Sequence, residues 1–164
     1  MKMLNRKGSL ALFSMLALTA AATAAQAQHV GGITATSSEQ TNDSRIQWQS
    51  NVQSALEQAT RENKLILVDV GANWCGWCQK MDQSTYSDKS VSNLLSRDFV
   101  CVKLDADSDP GKEFSQAFNI QGLPTVVILN PKSKTYKISV GYMNPTDFVA
   151  MITKVEQQMV AIAK

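Results

Sequence analysis

The chain has 164 residues, 44% hydrophobic and 18% charged, enough for one domain with a real buried core. Its 16 Lys and Arg exceed its 14 Asp and Glu by two, but Lys2, Arg6 and Lys7 all fall within the first 27 residues. The remainder of the chain carries 13 basic against 14 acidic side chains, a net charge of −1, which leaves nothing to suggest a nucleic-acid or anionic-membrane partner.

Those three basic residues precede an apolar run from Leu10 to about Ala22, and Ala25-Gln26-Ala27 has the small-x-small pattern of a cleavage site. Residues 1–27 are predicted to be a Sec-type signal peptide, placing the mature protein in the periplasm or outside the cell. The run is short for a membrane span, and no cysteine follows the cleavage site to anchor a lipid. Residues 28–45 are rich in Gly, Ser, Thr, Asn and Gln and read as a flexible leader, with His29 solvated in it.

The domain is expected over residues 46–164. Ile46 and Trp48 alternate as in a short edge strand, and Val52, Ala55, Leu56 and Ala59 then repeat at helical spacing as far as Asn63. Leu65–Val70 is apolar on both faces except at Asp69, as in a central parallel strand covered by helices. A lone carboxylate there is expensive unless it is paired.

Trp74-Cys75-Gly76-Trp77-Cys78 comes next, with a helix predicted from Cys75 to Gln83. Cysteines three apart in a first helical turn can meet disulfide geometry. The helix N-terminus favours a thiolate at Cys75, making it the attacking sulfur. Haem attachment would require His where Gln79 stands. A closed zinc site requires about four ligands, whereas the chain has three cysteines and one histidine. No metal and no cofactor is therefore expected.

Asp88 opens a second helix with Val91, Leu94 and Leu95 on its apolar side, and Phe99–Leu104 is the next strand, with Cys101 as a buried, inert thiol. Asp109-Pro110 reads as a cap followed by proline at the first helical position, with Phe114, Ala117 and Phe118 as the buried stripe. Thr125–Leu129 and Tyr136–Val140 form a hairpin across a short polar turn. Asn144-Pro145 starts a final helix whose inner face holds Phe148, Met151, Ile152, Val155, Met159 and Ile162.

From Ile46 onward the sequence resembles the thioredoxin family. The Trp74-Cys75-Gly76-Trp77-Cys78 motif resembles its active site, Asp69 its buried acid, and Gly122-Leu123-Pro124-Thr125 its cis-proline loop. Lys103 resembles the lysine that approaches the acid. Thr85–Val91 is similar to the insert in the C-terminal periplasmic domain of DsbD and its secreted single-domain relatives. The resemblance implies an α/β thioredoxin fold, a central mixed sheet of four or five strands flanked by helices. It implies catalysis by Cys75, Cys78 and Asp69, support from Lys103, and substrate binding by Trp74, Gly76, Trp77, Leu123 and Pro124.

The implied activity is exported thiol–disulfide exchange by a monomer, in the direction of protein-disulfide reduction, recharged by a membrane thiol–disulfide donor similar to DsbD. An oxidase or isomerase using the same residues, or a non-enzymatic metal carrier or chaperone on the same scaffold, are the alternatives. Trp77 departs from thioredoxin itself, which has proline there, and the dipeptide between the cysteines tunes reduction potential.

Overall fold

A computed structural model describes residues 45–162, and side chains as far as Met159. The predicted signal peptide, His29 and all of the leader but Arg45 lie outside the described residues, as does the side chain of Ile162.

Five strands form one mixed sheet: β1 (Trp48–Gln49), β2 (Leu65–Gly71), β3 (Phe99–Asp105), β4 (Thr125–Asn130) and β5 (Thr135–Val140), in the order β1-β3-β2-β4-β5. The first three are parallel, whereas β4 runs antiparallel to β2 and β5 antiparallel to β4. This is the thioredoxin fold.

Alternation along β2 divides the core into two layers. Ile66, Val68 and Val70 face Ala55 and Ala59 of α1 (Val52–Glu62) and Phe114 of α4 (Asp109–Ala117). Leu67 faces the opposite way, against Leu95 of α3 (Lys89–Asp98) and Phe148 and Ile152 of α5 (Pro145–Ile162). Each fully buried large apolar side chain of these layers contributes roughly 1.5–3 kcal/mol. Asp69 and Gly71 share the face of Leu67 and carry it to the C-terminal end of the strand.

Side-chain caps set the helix starts. Asn51 accepts from the Ser54 N–H at 2.9 Å, Asp88 from the Ser90 N–H at 2.8 Å, and Asn144 from the Asp147 N–H at 2.9 Å. Asn63 closes α1 in the left-handed conformation, with φ 57°.

Several expectations are corrected. Ser108, not Asp109, caps α4, accepting from the Gly111 N–H at 3.1 Å, which moves Pro110 to the second helical position. The inner face of α4 consequently runs through Gly111, Phe114 and Phe118, and Ala117 is exposed. Leu56 is exposed on α1, and Ile46 packs against the core without joining a strand. The helix predicted over 75–83 is only five residues of α-helix, α2 (Gly76–Lys80), continuing into a π turn over Met81–Thr85. There the Tyr86 N–H reaches back to the Met81 carbonyl at 3.0 Å. The wider turn buries both Met81 and Thr85, whose hydroxyl donates to the Met143 carbonyl at 2.5 Å.

Candidate active site

The site forms where β2 ends and α2 begins. Cys75 is the N-cap of α2, and its Sγ accepts the Cys78 N–H at 3.1 Å. Cys75 and Cys78 are joined by a disulfide with S–S 2.09 Å and Cα–Cα 5.2 Å. Gly71 ends β2 directly beside the second sulfur: a Cβ placed on it would lie in van der Waals contact, 3.4 Å from both Cβ and Sγ of Cys78.

Two tryptophans frame the disulfide, Trp74 at 70% and Trp77 at 59% exposure. The Trp74 indole N–H donates to Asp107 Oδ2 at 2.7 Å, tying the rim to the loop after β3. Trp77 lies 5.6 Å from Tyr142, ring centre to ring centre, and the Lys80 ammonium sits over both rings at 4.9 and 4.8 Å. Between the tryptophans and the cis Leu123–Pro124 bond runs a groove of about 640 Å³, lined by Cys75, Ile120, Gly122 and Leu123 among others. Neither the N–H nor the C=O of Leu123 has a backbone partner among the described residues.

Behind Cys78 lies a polar network. Asp69 pairs in register with Lys103 across β2 and β3, and its Oδ2 is 3.1 Å from Lys103 Nζ. Lys103 also binds Asp82 of the π turn, and its ammonium lies over the rings of Trp48 and Tyr86 at 5.2 and 5.3 Å. Asp69 is 3% exposed. Burial pushes its carboxyl above the ordinary 3.8, against the opposing pull of Lys103. Asp69 Oδ1 and the Tyr86 hydroxyl are both buried and have no partner other than each other, approaching without a well-formed hydrogen bond. Burial, reinforced by the Asp69 charge, holds the Tyr86 phenol well above its usual range. A second pocket of about 430 Å³, lined by Cys78, Asp82, Lys103 and Asp105, opens this network to solvent on the side away from the groove.

All the residues expected from the sequence therefore meet at one end of the sheet. Cys101 does not join them. It pairs with Leu67 and Trp48 within β3, and burial pushes its thiol up to about 12. Among the described residues no three His, Cys, Asp or Glu side chains cluster as metal ligands. Sequence reasoning missed Asp82, Tyr86, Asp107 and Tyr142. Only Asp82 carried a signal, lying four residues after Cys78 and so one turn along the same helical face.

The family described as "Thioredox_DsbH: Protein of unknown function, DUF255" matches residues 33–163. Human spermatogenesis-associated protein 20 is 32% identical over 108 residues, 62% of this chain and 14% of that protein. The thiol:disulfide interchange protein DsbD of Vibrio cholerae is 31% identical over 114 residues, 67% of this chain and 19% of that one. The chain thus spans less than a fifth of either relative. Among solved structures, a thioredoxin from Thermus thermophilus superposes with a TM-score of 0.62 at 26% identity, covering 68% of this chain and 87% of that one.

Proposed function

Since the chain belongs to this DsbH-type, DUF255 branch of the thioredoxin-like proteins, we propose that it is a thiol–disulfide oxidoreductase that reduces protein disulfides outside the cytoplasm. One observation carries the reading: the Cys75–Cys78 disulfide stands between an open apolar groove and a buried carboxyl of raised pKa.

In the reduced protein the Cys75 thiolate attacks a substrate disulfide. One substrate sulfur leaves as a thiolate and takes up a proton, and a mixed disulfide to Cys75 remains. Cys78 then loses its proton, with Asp69 as the relay through the polar network, and attacks Cys75 Sγ. The second substrate thiolate leaves, and the protein is oxidised by the two electrons the substrate gains. Lys103 holds the Asp69 carboxyl in place. Trp74, Gly76 and Trp77 form the docking rim, and the Leu123 backbone beside Pro124 pairs with an extended substrate segment.

The apolar run before Ala25-Gln26-Ala27 supports export, with the mature protein starting at Gln28. In an oxidising compartment the pair must be recharged, which calls for a membrane thiol donor similar to DsbD.

Reduction of insulin disulfides by the reduced protein tests the activity. Cys78→Ser should accumulate mixed disulfides on non-reducing gels and Cys75→Ser should not; the opposite pattern would reverse the sulfur assignment. A Cys75–Cys78 potential above that of the compartment's thiol pool would instead favour oxidation. N-terminal sequencing of the exported protein checks the cleavage site.

A further inference from the structure

We propose that the free edge of β5 is a docking strip for an extended partner segment that alternates apolar and acidic residues and lies a few residues from the partner's reacting cysteine. This rests on the disulfide-exchange reading above.

β5 closes the sheet on one side, so alternate N–H and C=O groups along it point outward with no neighbouring strand among the described residues to receive them. Tyr136, Ile138 and Val140 share one face of the strand and are 54%, 39% and 61% exposed. They lie opposite Leu129, Val127 and Thr125 of β4, on the layer covered elsewhere by α1 and α4. Phe118 of that layer reaches β5, meeting Tyr136 edge-on at 5.1 Å. Three large apolar side chains are therefore left standing in a row.

Charge identifies the occupant. From Ser133 to Met143 the chain has Lys134, just before β5, and Lys137, within it, and not one Asp or Glu. No ion pair engages these lysines among the described residues. A second copy pairing edge to edge would bring two copies of Lys134 and Lys137 into one ribbon, whereas an acidic strand would neutralise them.

The strip leads into the candidate site without a break. Val140 pairs with Thr125 beside the cis proline, and the Gly141 N–H donates to the Pro124 carbonyl at 2.8 Å. Gly122 is so close that a Cβ on it would sit 3.1 Å from Val140 Cγ1, and Gly122 lines the same groove as Cys75. A partner strand running along β5 toward Val140 would thus bring its continuation to the disulfide.

The test compares disulfide-linked synthetic peptides in which one cysteine is followed by a short spacer and then by alternating Val-Glu or Val-Lys. The reduced protein is the reductant, and a small aromatic disulfide is the control. At low salt the Val-Glu peptide should show a KM roughly tenfold below that of the Val-Lys peptide, with similar kcat. The Lys134→Glu/Lys137→Glu variant should abolish or invert that preference and leave the aromatic disulfide unaffected. N-methylation of alternate backbone amides in the Val-Glu segment should remove its advantage, because strand pairing needs those N–H groups.

Equal KM values for the two peptides, a preference that survives the double variant, or full activity of the N-methylated peptide would each overturn the proposal. So would Lys134- and Lys137-dependent binding to phosphatidylglycerol vesicles without any peptide preference, which would make the strip a membrane contact. Loss of aromatic-disulfide reduction in the parent protein would overturn the enzymatic reading instead. A cysteine-free Val-Glu peptide, followed by fluorescence anisotropy on the oxidised protein, still reads the strip in that case: binding abolished by the double variant supports it, and no binding overturns it.

Discussion

At the scale of single residues, Asp69 and Cys101 make opposite predictions from the same cause, burial. The Asp69 carboxyl is raised above 3.8 in the folded protein, so its contribution to stability is fully present below that value and is lost as pH rises through the folded pKa. Asp69→Asn should therefore stabilise the protein at neutral pH, by on the order of 1 kcal/mol, with the gain shrinking toward acid; urea unfolding at several pH values measures it. The same variant should slow resolution of the mixed disulfide by about 100-fold while leaving its formation largely intact, as read by stopped-flow. Cys101, pushed up to about 12, holds almost no thiolate at pH 8. Iodoacetamide should label Cys75 in the reduced folded protein and reach Cys101 only on unfolding. Cys101→Ala should keep disulfide reduction within about twofold of the parent at a stability cost of roughly 1 kcal/mol. Asp69 was legible in the sequence because it breaks an otherwise apolar strand, whereas Lys103 was picked out only by the resemblance to thioredoxins. Tyr86 was not legible, because what turns it toward that pair is a helical turn of unusual width, and Asp82 offered only its place one turn after Cys78.

At the scale of elements, the glycines around the groove differ sharply in what they tolerate. A Cβ on Gly111 would stand 1.9 Å from the Asp105 carbonyl oxygen and 2.7 Å from its carbon, both backbone atoms of β3. Gly111→Ala must push α4 away from the sheet and is expected to cost about 3 kcal/mol, visible as a lower denaturation midpoint. Gly76, between the cysteines, has nothing within 4 Å of such an atom, and Gly76→Ala should leave stability within about 0.5 kcal/mol. Strand and helix order was readable from periodicity throughout. The capping shift from Asp109 to Ser108 was hidden because Ser108, Asp109 and Pro110 each fit a helix start, and tertiary packing of Gly111 decides among them. Ala117 was misplaced because the inward stripe takes in Gly111 with Phe114 and Phe118 at i+3 and i+7, which leaves Ala117 outside it.

At the scale of the whole molecule, the core layer beneath α3 and α5 is coupled to the site through aromatic contact. Trp48 meets Tyr86 at 5.0 Å, and Tyr86 meets the fully buried Phe148 at 5.6 Å, joining β1, the end of the π turn and α5. Phe148→Ala should cost about 3–5 kcal/mol and loosen the support beneath Asp69 as well as the core, giving parallel losses in unfolding free energy and kcat. The fold was legible because a buried central strand, a hairpin and capped helices leave few ways to assemble one sheet. The apolar row on β5 was legible only in part. Its alternation predicts a strand, but nothing local says that the helix layer stops short of it.

The three tryptophans of the chain, Trp48, Trp74 and Trp77, all lie at this end of the sheet, beside Lys103, Asp107 and Tyr142 respectively. The protein's own ultraviolet emission is therefore a local reporter. It should brighten when the disulfide beside Trp74 and Trp77 is opened, and it should respond to events at the groove before the opposite end of the molecule changes. An unfolding curve followed by that light and one followed by circular dichroism need not coincide, and any gap between them would measure how far the site can come apart while the sheet remains intact.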